Sequence, residues 1–126
     1  MATILLIEDD PSVRRGLQLA LGRHGHDVRT ADTGEDGLRE LRAATPDLVV
    51  LDLMLPGIDG IEVCRRIRAA GELPVIMLTA RGDDFDIVGG LAAGADDYVV
   101  KPAQPTVLDA RIRAVKTGTR ITGAVI

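Results

Sequence analysis

Cysteine is almost missing from this chain: Cys64 stands alone. No disulfide can form within the chain, and a reducing compartment is the expectation. Long apolar runs are missing too, none approaching the ~20 residues needed to cross a bilayer. The N-terminus enters a strand-like run without a basic leader, a hydrophobic region or a cleavage site. Positive charge is in deficit, with 15 Lys and Arg against 19 Asp and Glu, a net charge of −4. Phosphate backbones are held by basic surfaces, so this chain alone is not expected to bind nucleic acid. There are no repeats, low-complexity tracts or internal linkers. Together these absences point to a cytoplasmic domain with no membrane attachment.

What is present suits a single globular domain. The chain has 126 residues, 46% hydrophobic and 27% charged, enough to bury a core without staples. Five short apolar runs read as strands: Ile4 to Ile7, Val28 to Ala31, Leu48 to Leu51, Val75 to Leu78, and Tyr98 to Val100. The second is mixed in character, which suggests an edge. Between the runs, apolar residues fall at helical spacing, as in Val13, Leu17, Ala20 and Leu21, then Leu38 and Leu41, then Ile61, Val63, Cys64 and Ile67. Strands alternating with helices predict an α/β fold, a parallel sheet covered on both faces and joined by right-handed crossovers.

Boundary residues agree. Asp10 before Pro11 predicts a capped helix start, and Thr33 with Asp36 three residues on predicts another. A fourth helix is expected over about Asp84 to Ala93. It carries Gly89-Gly90, each costing ~0.8–1 kcal/mol against alanine. That helix is read either as a surface helix with a close-packing glycine or as an element able to shift. Residues 118–126, with two glycines and little helical pattern, are read as the start of a linker or a disordered tail after a domain spanning 1–117.

The stretch from Val49 to Gly60 organises the rest. A buried apolar strand runs into the carboxylate Asp52, then breaks at Pro56, Gly57 and Gly60. In open parallel sheets, ligands bind beyond the carboxyl ends of the strands. Those ends carry Glu8-Asp9-Asp10, Asp52, Thr79-Ala80 and Lys101-Pro102. Two charges ~5 Å apart at an effective dielectric of ~20 repel by roughly 3 kcal/mol, so clustered acids need protons or a hard cation. Magnesium, or manganese in its place, suits oxygen ligands; no histidine lies nearby in sequence to suggest zinc. With Asp10 as a cap, Asp9 is expected to bind the metal directly and Glu8 through water. Lys101 and Thr79 complete a clamp for phosphoryl oxygens, and a carboxylate between them can form an acyl phosphate. Read singly, each acid is better explained as a helix cap or solvated loop residue and Lys101 as a surface lysine. What favours the clamp is that four strand ends carry compatible chemistry.

Ile7 to Asp10, Leu51 to Gly60, Leu78-Thr79-Ala80, Gly94 to Tyr98 and Lys101-Pro102 occur in the order found in receiver domains of two-component response regulators, which the chain resembles over residues 3 to 116. With Leu78-Thr79-Ala80-Arg81 and the last helix, it most resembles the winged-helix (OmpR/PhoB-type) transcriptional regulators. The resemblance implies a doubly wound, flavodoxin-like (βα)5 fold with strand order 2-1-3-4-5. It implies that Asp52 accepts a phosphoryl group from a sensor histidine kinase, with Mg2+ held by Asp9, Asp52 and the Met54 carbonyl and with Glu8 nearby. Thr79, Lys101 and the Ala80 N–H would hold phosphate oxygens, Tyr98 would turn inward with Thr79 as a switch, and the bond before Pro102 would be cis. It further implies a homodimer through the fourth helix, fifth strand and fifth helix, and DNA binding only through a domain lying downstream of this chain.

Several positions depart from the family pattern. Ala103 stands where phenylalanine is usual, which removes packing under the last helix. Ile87 and Val107 stand where a basic and an acidic residue often pair across the dimer, so an apolar contact is expected there instead. The last helix closes on Lys116-Thr117-Gly118 rather than on a basic run. Arg14-Arg15 reads as a solvated face or a kinase contact, and Cys64 as core. Two other functions compete with the switch. An aspartyl-phosphate hydrolase would want an acid two residues after its nucleophile, where this chain has Met54. A phosphorylation-independent binding module would not need the full set of acids, Thr79 and Lys101.

Overall fold

The computed structural model describes residues 2–80 and 84–116. Arg81, invoked above in the family motif, and the tail 118–126 lie outside them. The elements alternate without exception: β1 (Thr3–Ile7), α1 (Pro11–Arg23), β2 (Asp27–Ala31), α2 (Gly34–Ala43), β3 (Leu48–Asp52), α3 (Gly60–Ala70), β4 (Val75–Thr79), α4 (Asp84–Ala92), β5 (Asp97–Val100) and α5 (Pro105–Lys116). The five strands form one parallel sheet in the order β2-β1-β3-β4-β5. This is the doubly wound order expected from the resemblance, with β2 at an edge as its mixed sequence suggests.

Two apolar cores explain why central strands read as continuous hydrophobic runs. On one face Leu5, Ile7, Val49, Leu51 and Met77 meet Val63, Cys64 and Ile67 of α3 and, less deeply, Leu38 and Leu41 of α2. On the other face Ile4, Leu6, Val50, Ile76 and Leu78 meet Leu17 and Leu21 of α1 and Leu108, Ile112 and Val115 of α5. Successive residues of one strand serve opposite faces, so both must be apolar. Each fully buried leucine, isoleucine or valine contributes about 1.5–3 kcal/mol relative to exposure. Cys64 is buried, its thiol pushed upward in pKa by that burial, and serves the core as expected.

The caps form as their residue types require. Asp10 accepts from the Ser12 and Val13 amides at 2.9 and 3.2 Å. Thr33 accepts from the Asp36 amide at 3.0 Å, and Asp59 opens α3 by accepting from Glu62 at 2.9 Å. Gly89 lets α4 approach α3, since a Cβ there would stand 3.0 Å from Ile61 Cδ1, which supports the close-packing reading.

Both histidines sit at the amino ends of the strands, away from Glu8, Asp9 and Asp52. The Ala2 N–H donates to His26 Nδ1 at 3.0 Å, which leaves Nε2 to carry the proton donated to Asp109 of α5 at 2.5 Å. His24 and Arg113 approach the same carboxylate at 3.4 and 3.0 Å. Burial alone would raise the Asp109 pKa, but His26 and Arg113 outweigh it and hold the carboxyl below its ordinary value.

Candidate functional site

Strand register brings the tips together. Ile7 pairs with Leu51, so Glu8 follows β1 beside Asp52, the last residue of β3. Thr79, the last residue of β4, pairs with Val100, which sets Ala80 beside Lys101. The Lys101 N–H donates to the Thr79 carbonyl at 2.6 Å and the Leu53 N–H to the Leu78 carbonyl at 2.9 Å, extending the sheet past its formal ends. The Lys101–Pro102 peptide is cis, as the resemblance implies. The turn after β3 passes through Gly57 at φ 72, a left-handed conformation suited to glycine. Gly60 then starts α3 directly on the β3 end. A Cβ there would meet the Asp52 carbonyl oxygen and stand 2.7 Å from Leu53 Cα.

Glu8, Asp9 and Asp52 offer carboxylate oxygens that all lie within 4.8 Å of one another. Glu8 is fully buried, Asp52 is nearly so, and Asp9 is exposed. Lys101 Nζ stands 3.1 Å from Asp52 Oδ2 and 2.7 Å from Glu8 Oε1. The first contact is a well-formed hydrogen bond; the second is an ion pair off the hydrogen-bonding direction, so Glu8 Oε1 is buried without a true donor. Asp52 Oδ1 accepts from the Met54 N–H at 3.2 Å, and Glu8 Oε2 from the Asp10 N–H at 3.1 Å.

The Glu8 carboxyl stands at about 7 instead of 4.5: burial raises it most, Lys101 and the Asp10 amide offset part of that rise, and Asp52 adds to it. Burial would lower Lys101, but the Glu8 and Asp52 carboxylates outweigh it and hold the ammonium above its ordinary value. Lys101 is therefore charged at neutral pH, and Glu8 is the group in balance. The pocket carries more negative charge than one lysine neutralises, and its buried Glu8 oxygen lacks a directed partner. Its donors are all hard oxygens, which suits a magnesium-type cation.

Tyr98 is half-buried and shares a cavity of about 10 Å³ with Thr79, Ile87 and Leu91. Ala103 lines a groove of about 540 Å³ between α1 and the start of α5, with Val13, Leu17, Lys101 and Pro105, where a larger side chain would fill space. A second groove of about 580 Å³, walled by Leu38, Leu41, Ile67 and Leu73, lies at the other end of the sheet and offers none of this chemistry. The reading of Arg14-Arg15 as a solvated face is corrected at its first residue. Arg14 is half-buried and donates from Nη1 to the Glu8 carbonyl at 2.9 Å and the Asp9 carbonyl at 3.3 Å. Arg15 is exposed.

The model for the response regulator receiver domain matches residues 4–113. The chain is 66% identical over 115 residues to the transcriptional regulatory protein AfsQ1 of Streptomyces coelicolor, covering 91% of this chain and 51% of that protein. It is 50% identical over 111 residues to the DNA-binding response regulator MtrA of Mycolicibacterium smegmatis, covering 88% and 49%. Among solved structures, the BeF3-activated N-terminal receiver domain of Klebsiella pneumoniae RstA superposes with a TM-score of 0.86 at 38% identity, covering 90% of this chain and 97% of that one. The chain spans about half the length of these two sequence relatives.

Proposed function

The chain belongs to the response regulator receiver domain family, and from that premise we propose that Asp52 is the residue that takes the phosphoryl group. The observation that carries this reading is the seating of Asp52: one oxygen on Lys101, the other on the Met54 amide, with Glu8 and Asp9 alongside. The donor is a phosphohistidine of a sensor histidine kinase. An Asp52 oxygen attacks phosphorus, the phosphorus–nitrogen bond breaks, and the bonding pair leaves on the imidazole. Lys101, the Thr79 hydroxyl and the Ala80 N–H hold the phosphoryl oxygens as charge builds on them. Asp9, Asp52 and the Met54 carbonyl, with Glu8 nearby, would hold a magnesium ion, which would supply positive charge toward those oxygens.

Thr79 moves toward the new phosphate and draws Tyr98 inward, which reshapes the surface of α4, β5 and α5. That surface carries four exposed large apolar residues, Val88, Leu91, Val100 and Val107, and it is the homodimer face. The receiver unit takes in the matched residues 4–113, and DNA is bound through another part of the longer protein, as the roughly twofold length of the relatives supports. The relatives are named as transcriptional regulatory proteins, which supports a transcriptional output.

Incubation with acetyl phosphate and Mg2+ tests the nucleophile. Intact-mass measurement is expected to show one added phosphoryl group on the native chain and none on Asp52→Asn. Comparable labelling of that variant would move the nucleophile elsewhere.

A further inference from the structure

The carbonyls of Glu8 and Asp9 lie past the last residue of β1, and both are reached by one guanidinium nitrogen of α1: Arg14 Nη1 donates to Glu8 O at 2.9 Å and to Asp9 O at 3.3 Å. Carboxylates were on offer. Asp32, Asp36 and Glu40 line the same polar recess as Arg14, and Asp36 is taken by Arg39 and Glu40 by Arg29. The short turn from Glu8 to Asp10 is held from other sides as well. The Glu8 N–H donates to the Ala31 carbonyl at 3.0 Å, and the Arg14 N–H to the Asp10 carbonyl at 2.9 Å, the first bond of α1. Arg14 thus fastens the main chain of both acids to the helix that follows them.

We infer that Arg14 is a positioning residue for the divalent-cation site, fixing the β1–α1 turn so that the Glu8 and Asp9 carboxylates face Asp52. The inference rests on the reading of the acidic pocket given above. Its physical content is rigidity: a turn clamped at two carbonyls presents its acids without having to be ordered by the cation, so less binding free energy is lost to ordering. A planar guanidinium can serve two carbonyls from fixed directions, whereas a lysine ammonium on a flexible stem cannot hold both in the same way.

Charge and positioning predict opposite signs, and this makes the test decisive. Removing the positive charge that reaches the Glu8 and Asp9 carbonyls favours a cation nearby, so a purely electrostatic Arg14 predicts tighter Mg2+ binding in Arg14→Gln. The clamp predicts weaker binding, by about tenfold, the lower end of what outer-shell partners of metal ligands contribute. Mg2+ affinity is read by isothermal titration calorimetry, and Mn2+ affinity by electron paramagnetic resonance. Arg14→Lys is expected to fall between Arg14→Gln and the native chain. Arg15→Gln, the same charge change on the exposed neighbour, is expected not to weaken binding. Amide hydrogen exchange at Glu8 to Asp10 should speed up in Arg14→Gln while exchange in β3 and β4 stays native, which separates a loosened turn from a loosened fold. Native or tighter Mg2+ affinity in Arg14→Gln overturns the inference and leaves the pocket's function standing. A native chain that binds no Mg2+ overturns the reading of the pocket and the inference with it.

Discussion

Lys101 Nζ lies 3.1 Å from Asp52 Oδ2, joining the end of β5 to the end of β3 across the tip of β4. Because the same ammonium also meets Glu8, it is, among the described residues, the cation placed between two of the pocket's acids. Lys101→Ala is expected to slow labelling by acetyl phosphate by about 100-fold, the usual loss when a preorganised donor to developing charge is removed. Mg2+ binding should survive, and tighten, because a competing positive charge has left. Rapid-quench labelling and calorimetry check the two halves; a native labelling rate would remove Lys101 from the clamp.

Gly60 sits where α3 begins on the backbone of Asp52. Gly60→Ala forces a methyl group into main-chain atoms that cannot rotate away. The expected cost is about 1–3 kcal/mol in urea unfolding, together with lost phosphorylation, since whatever moves to relieve the clash carries Asp52 with it. An alanine variant with native stability and labelling would show that the β3–α3 turn has slack.

At the opposite end of the sheet, Asp109 receives His26, His24 and Arg113. Its carboxyl is held below its ordinary value of 3.8 in the folded chain. The unfolded state therefore takes up the proton first as pH falls. The stabilisation is full above the unfolded value and is lost as pH drops through the folded one. Asp109→Asn should accordingly be less stable than the native chain at neutral pH, with the difference shrinking as unfolding is repeated down to about pH 2. Asp109→Ala also strands the His26 Nε2 proton and should cost roughly 2 kcal/mol at neutral pH. A difference that grows on acidification would contradict this sign.

The exposed face of α4, β5 and α5 is apolar at Val88, Leu91, Val100 and Val107. Self-association of the beryllofluoride-treated chain through this face should therefore hardly change between roughly 0.1 M and 1 M salt, over which the screening length falls from about 10 to about 3 Å. Val107→Asp should abolish it, as measured by light scattering. A dimer that dissociates in high salt would mean that ion pairs, not apolar contact, hold the two copies.

Local features were legible because local physics produces them. The apolar runs at Leu48 to Leu51 and Val75 to Leu78 are strands because both of their faces meet a core. Asp10-Pro11 and Thr33 start helices because short polar side chains satisfy orphan amides there. The role of Arg14 is not legible for an equally physical reason: its partners are main-chain carbonyls, and no residue type announces a carbonyl. His26 and Asp109 stand 83 residues apart, and nothing in either neighbourhood names the other.

By itself, then, the order of amino acids determined the alternation of strands and helices, the capped boundaries and the chemistry waiting at each strand end, because each depends on neighbours a few residues away. Only the folded arrangement decided which tips stand side by side, that Glu8 is the buried acid and Asp9 the exposed one, and that one lysine serves both Glu8 and Asp52. Those outcomes follow from packing helices onto two faces of a twisted sheet, where a residue's partner is set by the register of strands far apart in the chain.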